Sequence, residues 1–184
     1  MPLLCIAGLP GSGKSTVSRI IEEYGVKVFV MGDYVRRFAE QNGIPVDKAA
    51  SMIRILYGTR AVAKMVLSDL AKFRGNAAVE GLRSREEYEA FKEAYPDAKL
   101  LFIVASLGER FRRLSSRGRP DDPKDLNDLL IRDYRESTFG LTDLVSLADY
   151  IIVNENVALS QLKELIVPII REVYGINPQG QTQR

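Results

Sequence analysis

The chain has 184 residues, 46% of them apolar and 27% charged, with 26 basic and 24 acidic side chains and a formal net charge of +2. Such a length and composition describe one globular domain and exclude a disordered or fibrous chain, and the balanced charge argues against bulk electrostatic binding to nucleic acid or a membrane surface. With no histidine and a single cysteine, Cys5, the chain cannot use Ser-His-Asp or Cys-His catalysis, a His-based zinc site or an internal disulfide.

The first predicted element is an apolar strand over 3–7, where Cys5 is expected as a buried thiol. It runs into Gly8-Leu9-Pro10-Gly11-Ser12-Gly13-Lys14-Ser15, which satisfies G-x-x-x-x-G-K-[ST] between a strand and a helix, the context a P-loop requires. Gly8, Gly11 and Gly13 let the backbone curl around a phosphate with its N–H groups pointing inward. The N-terminus of the next helix, predicted over 14–24, adds partial positive charge. Lys14 is expected on the β- and γ-phosphates of ATP and the Ser15 hydroxyl on Mg²⁺. Thr16, the next residue on the helix, completes the expected nucleotide-binding set. No Asn-Lys-x-Asp segment of the kind that reads guanine is present.

A second strand, 27–31, is followed by Gly32-Asp33-Tyr34-Val35-Arg36-Arg37, and a third, 77–80, by Gly81-Leu82-Arg83-Ser84-Arg85. Between them, residues 33–75 are too many for one crossover helix and are predicted to form a helical insert. In a doubly wound sheet the C-terminal strand ends open onto one crevice, so Gly32, Asp33, Arg36, Glu80, Gly81 and Arg83 can converge on the P-loop. Asp33 and Glu80 are candidates to order Mg²⁺-bound water. Arg36 and Arg83 are candidates to fork around an acceptor phosphate. The plainer alternatives are an N-cap for Asp33 and an exposed helix position for Arg36.

A helix over 85–95, a strand over 99–105 and a helix over 107–117 lead to Arg117-Gly118-Arg119-Pro120-Asp121-Asp122, a hinge-like turn predicted as a short lid. Pro123 is expected in the first turn of a helix over 123–137. Between residues 110 and 135 lie seven arginines and a single lysine, Lys124, and arginine supplies planar, multi-donor contacts to phosphate oxygens where lysine is a point charge. Arg110, Arg112 and Arg113 are expected as surface arginines paired with nearby acids. A last strand, 150–153, ends at Asn154, and a helix follows over 159–174. The segment 177–184, with no apolar residue, is expected to fray. The alternation of short apolar strands with helices predicts an α/β P-loop NTPase fold, a three-layer α/β/α sandwich around a five-stranded parallel sheet.

The Gly32–Arg37 and Glu80–Arg83 segments resemble those of the nucleoside monophosphate kinases, adenylate kinase above all, although Glu80 stands where that family carries Asp and a proline is missing. The shift leaves Arg83 and Arg85 competing for the role of acceptor arginine. Over about residues 3 to 170 the chain also resembles an archaeal family of adenylate-kinase-related, dephospho-CoA-kinase-like proteins. The shared segments here are Gly81–Ser84, Arg117–Asp122, Arg132–Glu136 and Ala148–Asn154. The resemblance implies that Arg117, Arg119, Arg132 and Arg135 close over the transferring phosphoryl group and that Asn154 borders the donor adenine; a turn-forming Asn is the alternative for the last.

The function expected is transfer of the ATP γ-phosphate, with Mg²⁺, to a small nucleotide-like acceptor, AMP or another nucleoside monophosphate first. Dephospho-CoA is the runner-up, favoured by the Ala148–Asn154 ending but lacking that family's Asp-x-Pro-Leu-Leu segment. A regulator with slow ATPase activity is the rival of another class. Partners are expected to be small nucleotides, with no nucleic acid and no membrane. No apolar run approaches the roughly 20 residues of a span, no signal peptide is read at the N-terminus, and the expected location is cytoplasmic.

Overall fold

Five parallel strands stand in the order β2-β3-β1-β4-β5, with β1 (Leu3–Ala7) in the middle. The computed structural model describes residues 1–119 and 122–176; the frayed tail predicted for 177–184, and Pro120 and Asp121 of the lid, lie outside the described residues. The flanking strands are β2 (Lys27–Val30), β3 (Ala77–Leu82), β4 (Lys99–Val104) and β5 (Tyr150–Val153). In register, Cys5 lies opposite Val79 of β3 on one side and Leu100 of β4 on the other. The predicted α/β sandwich with a five-stranded parallel sheet is the fold observed.

Every residue of β1 is buried, and its side chains divide by the two-residue period of a strand. Leu3, Cys5 and Ala7 enter one apolar cluster, and Leu4 and Ile6 enter the other. That explains why the strand reads as an unbroken apolar run, since both of its faces are covered. Cys5 is a free, buried thiol, and burial pushes its pKa up, so it is inert as a nucleophile.

Helices α1 (Lys14–Glu22) and α8 (Leu159–Tyr174) cover the Leu4/Ile6 face through Val17, Ile20, Ile21, Ile166 and Ile170. The other face carries α2 (Met31–Asn42), α3 (Val46–Tyr57), α4 (Ala61–Leu70) and α5 (Arg85–Ala94). Their Val35, Ile53, Val66 and Phe91 join the same cluster as Leu3 and Cys5. The region predicted as a helical insert thus holds α3 and α4 after most of α2, with α3 ending at Gly58 and its positive φ. α2 packs onto β3, and α3 and α4 pack against α2 and each other.

Two helix starts differ from expectation. α2 begins at Met31, directly after β2, so Asp33 sits in its first turn and is not its cap. α7 (Leu126–Thr138) begins three residues beyond Pro123, because the Asp125 side chain accepts from the Asp128 N–H and caps it. Between them, α6 (Leu107–Arg117) ends at Gly118 in the left-handed region. A short 3₁₀ helix, Leu141–Leu147, was not foreseen. Asp149 ties β5 to β4: its carboxylate accepts from Leu100 N at 2.8 Å and Lys99 Nζ at 3.0 Å. The aspartate of the Ala148–Asn154 segment is therefore explained by strand pairing. No helix among the described residues is long and apolar enough to cross a membrane.

Candidate functional site

The chain leaves β1 at Ala7 and turns immediately, because Gly8 has φ 147°. A Cβ there would collide with the Ile103 carbonyl oxygen of β4 and lie 2.7 Å from Ser12 Oγ. A side chain at Gly11 would meet the Arg110 carbonyl oxygen at 2.7 Å. These glycines are required by the close approach of β4 and α6 as well as by the curl of the loop. Gly13 precedes α1 in the left-handed region and opens the helix onto the same point.

Lys14 Nζ folds back to donate to the carbonyl oxygens of Gly8 at 2.7 Å and Leu9 at 3.0 Å. Desolvation of its ammonium lowers its pKa to about 8, against the upward pull of the nearby Glu80 and Glu136 carboxylates and with the help of Arg83 and Arg132. A phosphate beside this group adds negative charge and raises the pKa again. Nucleotide binding near pH 8 should therefore take up a proton. Affinity for ADP should be flat below about pH 7 and fall by up to about tenfold per pH unit above 8. Calorimetry in buffers of different ionisation enthalpy measures this directly, and Lys14→Met should abolish the uptake.

At the C-terminal end of β3, Glu80 is 6% exposed and accepts two hydroxyls, Ser15 Oγ at 3.1 Å and Ser18 Oγ at 2.7 Å. A buried carboxylate shared by hydroxyls beside a phosphate loop fits a hydrated Mg²⁺, an ion that takes one or two protein ligands and fills the rest of its octahedron with water and phosphate oxygens. The described residues hold no three-carboxylate or thiolate cage, and such an arrangement needs none.

One cleft of about 670 Å³ runs from the P-loop past Glu80 to the first turn of α2. Its walls include Gly32, Asp33 and Arg36 on one side, Gly81 and Arg83 at the end of β3, and Arg117, Arg119 and Arg132 from α6 to α7. Residues far apart in sequence are thus brought together as the topology requires. Asp33 and Arg36 are both more than two-fifths exposed and are paired with each other. Arg83 lines the cleft, whereas Arg85 is exposed and paired with Glu89 along α5. Thr16 lines the cleft as well, and so does Pro10, whereas Leu9 and Ser12 do not, Ser12 being fully buried.

Arg132 lines the cleft wall, and Arg135, three residues on along α7, does not. Asn154 is 4% exposed and its amide donates to Ser12 O at 2.9 Å, so its side chain braces the P-loop from the end of β5.

Arg110 and Arg113, expected on the surface, belong to the site. Arg110 is 4% exposed; Nη1 and Nη2 fork onto Asp133 of α7 at 2.9 and 2.6 Å, and Nη1 also donates to Pro10 O at 3.2 Å. Arg113 donates to Ser12 O at 3.3 Å and to Asn154 O at 3.0 Å. The loop backbone is therefore held from outside by α6, and α6 is held by α7. The only signal in the sequence is that Arg110 and Arg113 stand on one helical face three apart. Arg112, on another face, is exposed and pairs with Glu109. At the lid base, burial works against it, but Arg117 and the Arg119 N–H hold the Asp122 carboxyl below its usual range.

Residues 7–129 match a family model described as an AAA domain. The chain is 44% identical over 171 residues to a UPF0200 protein of Pyrobaculum aerophilum, covering 93% of this chain and 98% of the relative. It is 40% identical over 164 residues to a UPF0200 protein of Thermococcus sibiricus, covering 84% of this chain and 86% of the relative. Among solved structures, shikimate kinase from Bacteroides thetaiotaomicron superposes with a TM-score of 0.63 at 18% identity, covering 93% of this chain and 97% of that one.

Proposed function

The chain belongs to the UPF0200 family and carries an AAA-type P-loop domain, and from that premise we propose that it transfers the γ-phosphoryl group of ATP to a small phosphate-bearing acceptor, a nucleoside monophosphate such as AMP first. The observation that carries the reading is one cleft lined by Lys14, Ser15 and Glu80 together with Arg36, Arg83 and Arg132. A hydrolytic site needs cations at the donor phosphates; this cleft also carries arginine beyond them, where an acceptor anion would lie.

ATP with Mg²⁺ supplies the phosphoryl group and its electrophilic phosphorus. The chain's part is to bind, orient and exclude water, since phosphoryl transfer asks for little covalent help. Lys14 and the loop N–H groups hold the donor phosphates, Ser15 and Glu80 position the ion, and Arg83 and Arg36 orient the acceptor. Arg117 and Arg132 neutralise charge as the bond to the leaving oxygen breaks and the bond to the acceptor oxygen forms. Arg132→Ala should therefore lower kcat by about 10²-fold with KM changed less than about threefold. Initial rates over both substrates check it, and a loss carried by KM alone would remove Arg132 from that role.

A second reading, transfer to a hydroxyl acceptor such as dephospho-CoA, is favoured by one observation. The Asp33 carboxylate lines the cleft and pairs with Arg36, and a carboxylate there is placed to take a hydroxyl proton. The shikimate kinase neighbour is named for a hydroxyl-bearing substrate. The test of both is ADP production from Mg²⁺–ATP across AMP, the other nucleoside monophosphates and dephospho-CoA, with Lys14→Ala as control. Stimulation by AMP supports the first reading and by dephospho-CoA the second. No stimulation above the water background favours a nucleotide-binding regulator. On the proposed reading the protein works in the cytosol on small nucleotides.

A further inference from the structure

We propose that Glu136 is a positioning residue that aims the Arg83 guanidinium at the anionic group of the acceptor; the inference rests on the acceptor site proposed above. Glu136 projects from α7 into the cleft wall and is 2% exposed. Its Oε1 lies 3.3 Å from Arg83 Nη1 and makes no hydrogen bond among the described residues, so charge, and not a linear hydrogen bond, holds the pair. The main chain of the same residue is held from the other side: Arg83 N donates to Glu87 Oε2 at 2.7 Å. Glu87 is 1% exposed and its second oxygen accepts from Arg54 Nη2 of α3 at 2.5 Å. Arg54 in turn lies over the Phe139 ring, at 4.3 Å, just beyond the end of α7.

Two buried carboxylates therefore fix Arg83 at its backbone and at its tip. A guanidinium offers five N–H donors in a planar fork. Glu136 engages one edge, which leaves the remainder of the fork to face the cleft. A buried ion pair is weak evidence of stability, because apolar residues of equal volume hold a fold as well. This pair also lines the ligand cleft, where Lys14 and Arg132 add two further cations. An internal anion at that point lowers their mutual repulsion before a phosphate arrives, and it sets the angle of the arginine. Together Glu136 and Glu87 tie α7 and, through Arg54, α3 to Arg83 beyond the end of β3, so the acceptor side and the arginine-bearing helix are aligned together.

The probe is diadenosine pentaphosphate, which spans donor and acceptor sites, compared with the non-hydrolysable ATP analogue AMP-PNP, which fills the donor site, by calorimetry with Mg²⁺. Wild type should bind the probe more tightly than AMP-PNP. Glu136→Gln should lose about 10- to 100-fold of that advantage, the lower part of the range for losing one partner of a close charge pair, with AMP-PNP affinity changed much less. Arg83→Met should lose the same, and the double variant should lose no more than either, because the two act as one unit. Glu136→Asp should restore part of the advantage, and it serves as the readout if the Gln variant does not fold. A probe advantage kept in Glu136→Gln, or additive losses in the double variant, would overturn the inference while leaving the acceptor site standing. A wild type with no advantage for the probe would overturn the nucleotide-acceptor reading and the inference with it.

Discussion

Arg110→Met should lower stability by about 3–5 kcal/mol, the cost of removing one partner from a buried ion pair. For a domain of this size that corresponds to a fall in Tm of roughly 6–20 °C. The substitution keeps the length and most of the volume of the side chain but strands the Asp133 carboxylate, which is 14% exposed. It also takes a donor from Pro10 O and from Ala105 O. Because Arg110 braces the P-loop from outside the cleft, ADP affinity should fall as well. Adding Asp133→Leu should recover part of the stability, since no unpaired charge then remains, but not the ADP affinity, since the brace on the loop stays missing. Urea denaturation of the single and double variants measures the first, and calorimetry the second. Stability within about 1 kcal/mol of wild type in the single variant would show that the pair is solvated and that the loop stands without it.

Lys14→Met should reduce kcat/KM by on the order of 10³-fold, as expected when a cation facing the transferring phosphoryl group is removed from a preorganised site. The ammonium donates to Gly8 O and Leu9 O, and reaching a phosphate means exchanging those carbonyls for phosphate oxygens. Its lowered pKa, about 8, belongs to its buried position on those carbonyls. The variant should therefore lose the pH dependence of ADP binding together with the turnover. Steady-state rates with saturating Mg²⁺–ATP check the first, and retention of more than a tenth of wild-type kcat/KM would contradict the assignment.

The sheet was legible because a strand buried on both faces carries little but apolar residues. Leu3–Ala7 and Lys99–Val104 meet that condition, and their bounds agree with expectation to within a residue. The P-loop was legible because its chemistry is local, with glycines, Lys14 and Ser15 inside eight residues. The arginines were legible as a group but not singly. Whether Arg110 is a solvated helix residue or the brace of the P-loop depends on Asp133, 23 residues away, and on Pro10, 100 residues away. Nothing local to α6 encodes either partner. The Asn154 amide on Ser12 O, 142 residues away, was unreadable for the same reason, since a resemblance transfers a position but not the direction in which its side chain points. The start of α7 shows a local competition: Pro123 permits a first turn, but the Asp125 carboxylate satisfies a helix N–H and sets the first helical residue three positions later.

The most direct measurement of phosphoryl transfer is the fate of the phosphorus itself. Wild-type protein would be incubated with Mg²⁺ and ATP labelled in the γ-phosphate, with AMP, the other nucleoside monophosphates or dephospho-CoA, and the products separated. The expected result is label in the phosphorylated acceptor, AMP foremost, at a rate lost in Lys14→Met and strongly reduced in Arg132→Ala. Label found only in inorganic phosphate, at one rate with every acceptor and with none, would contradict it.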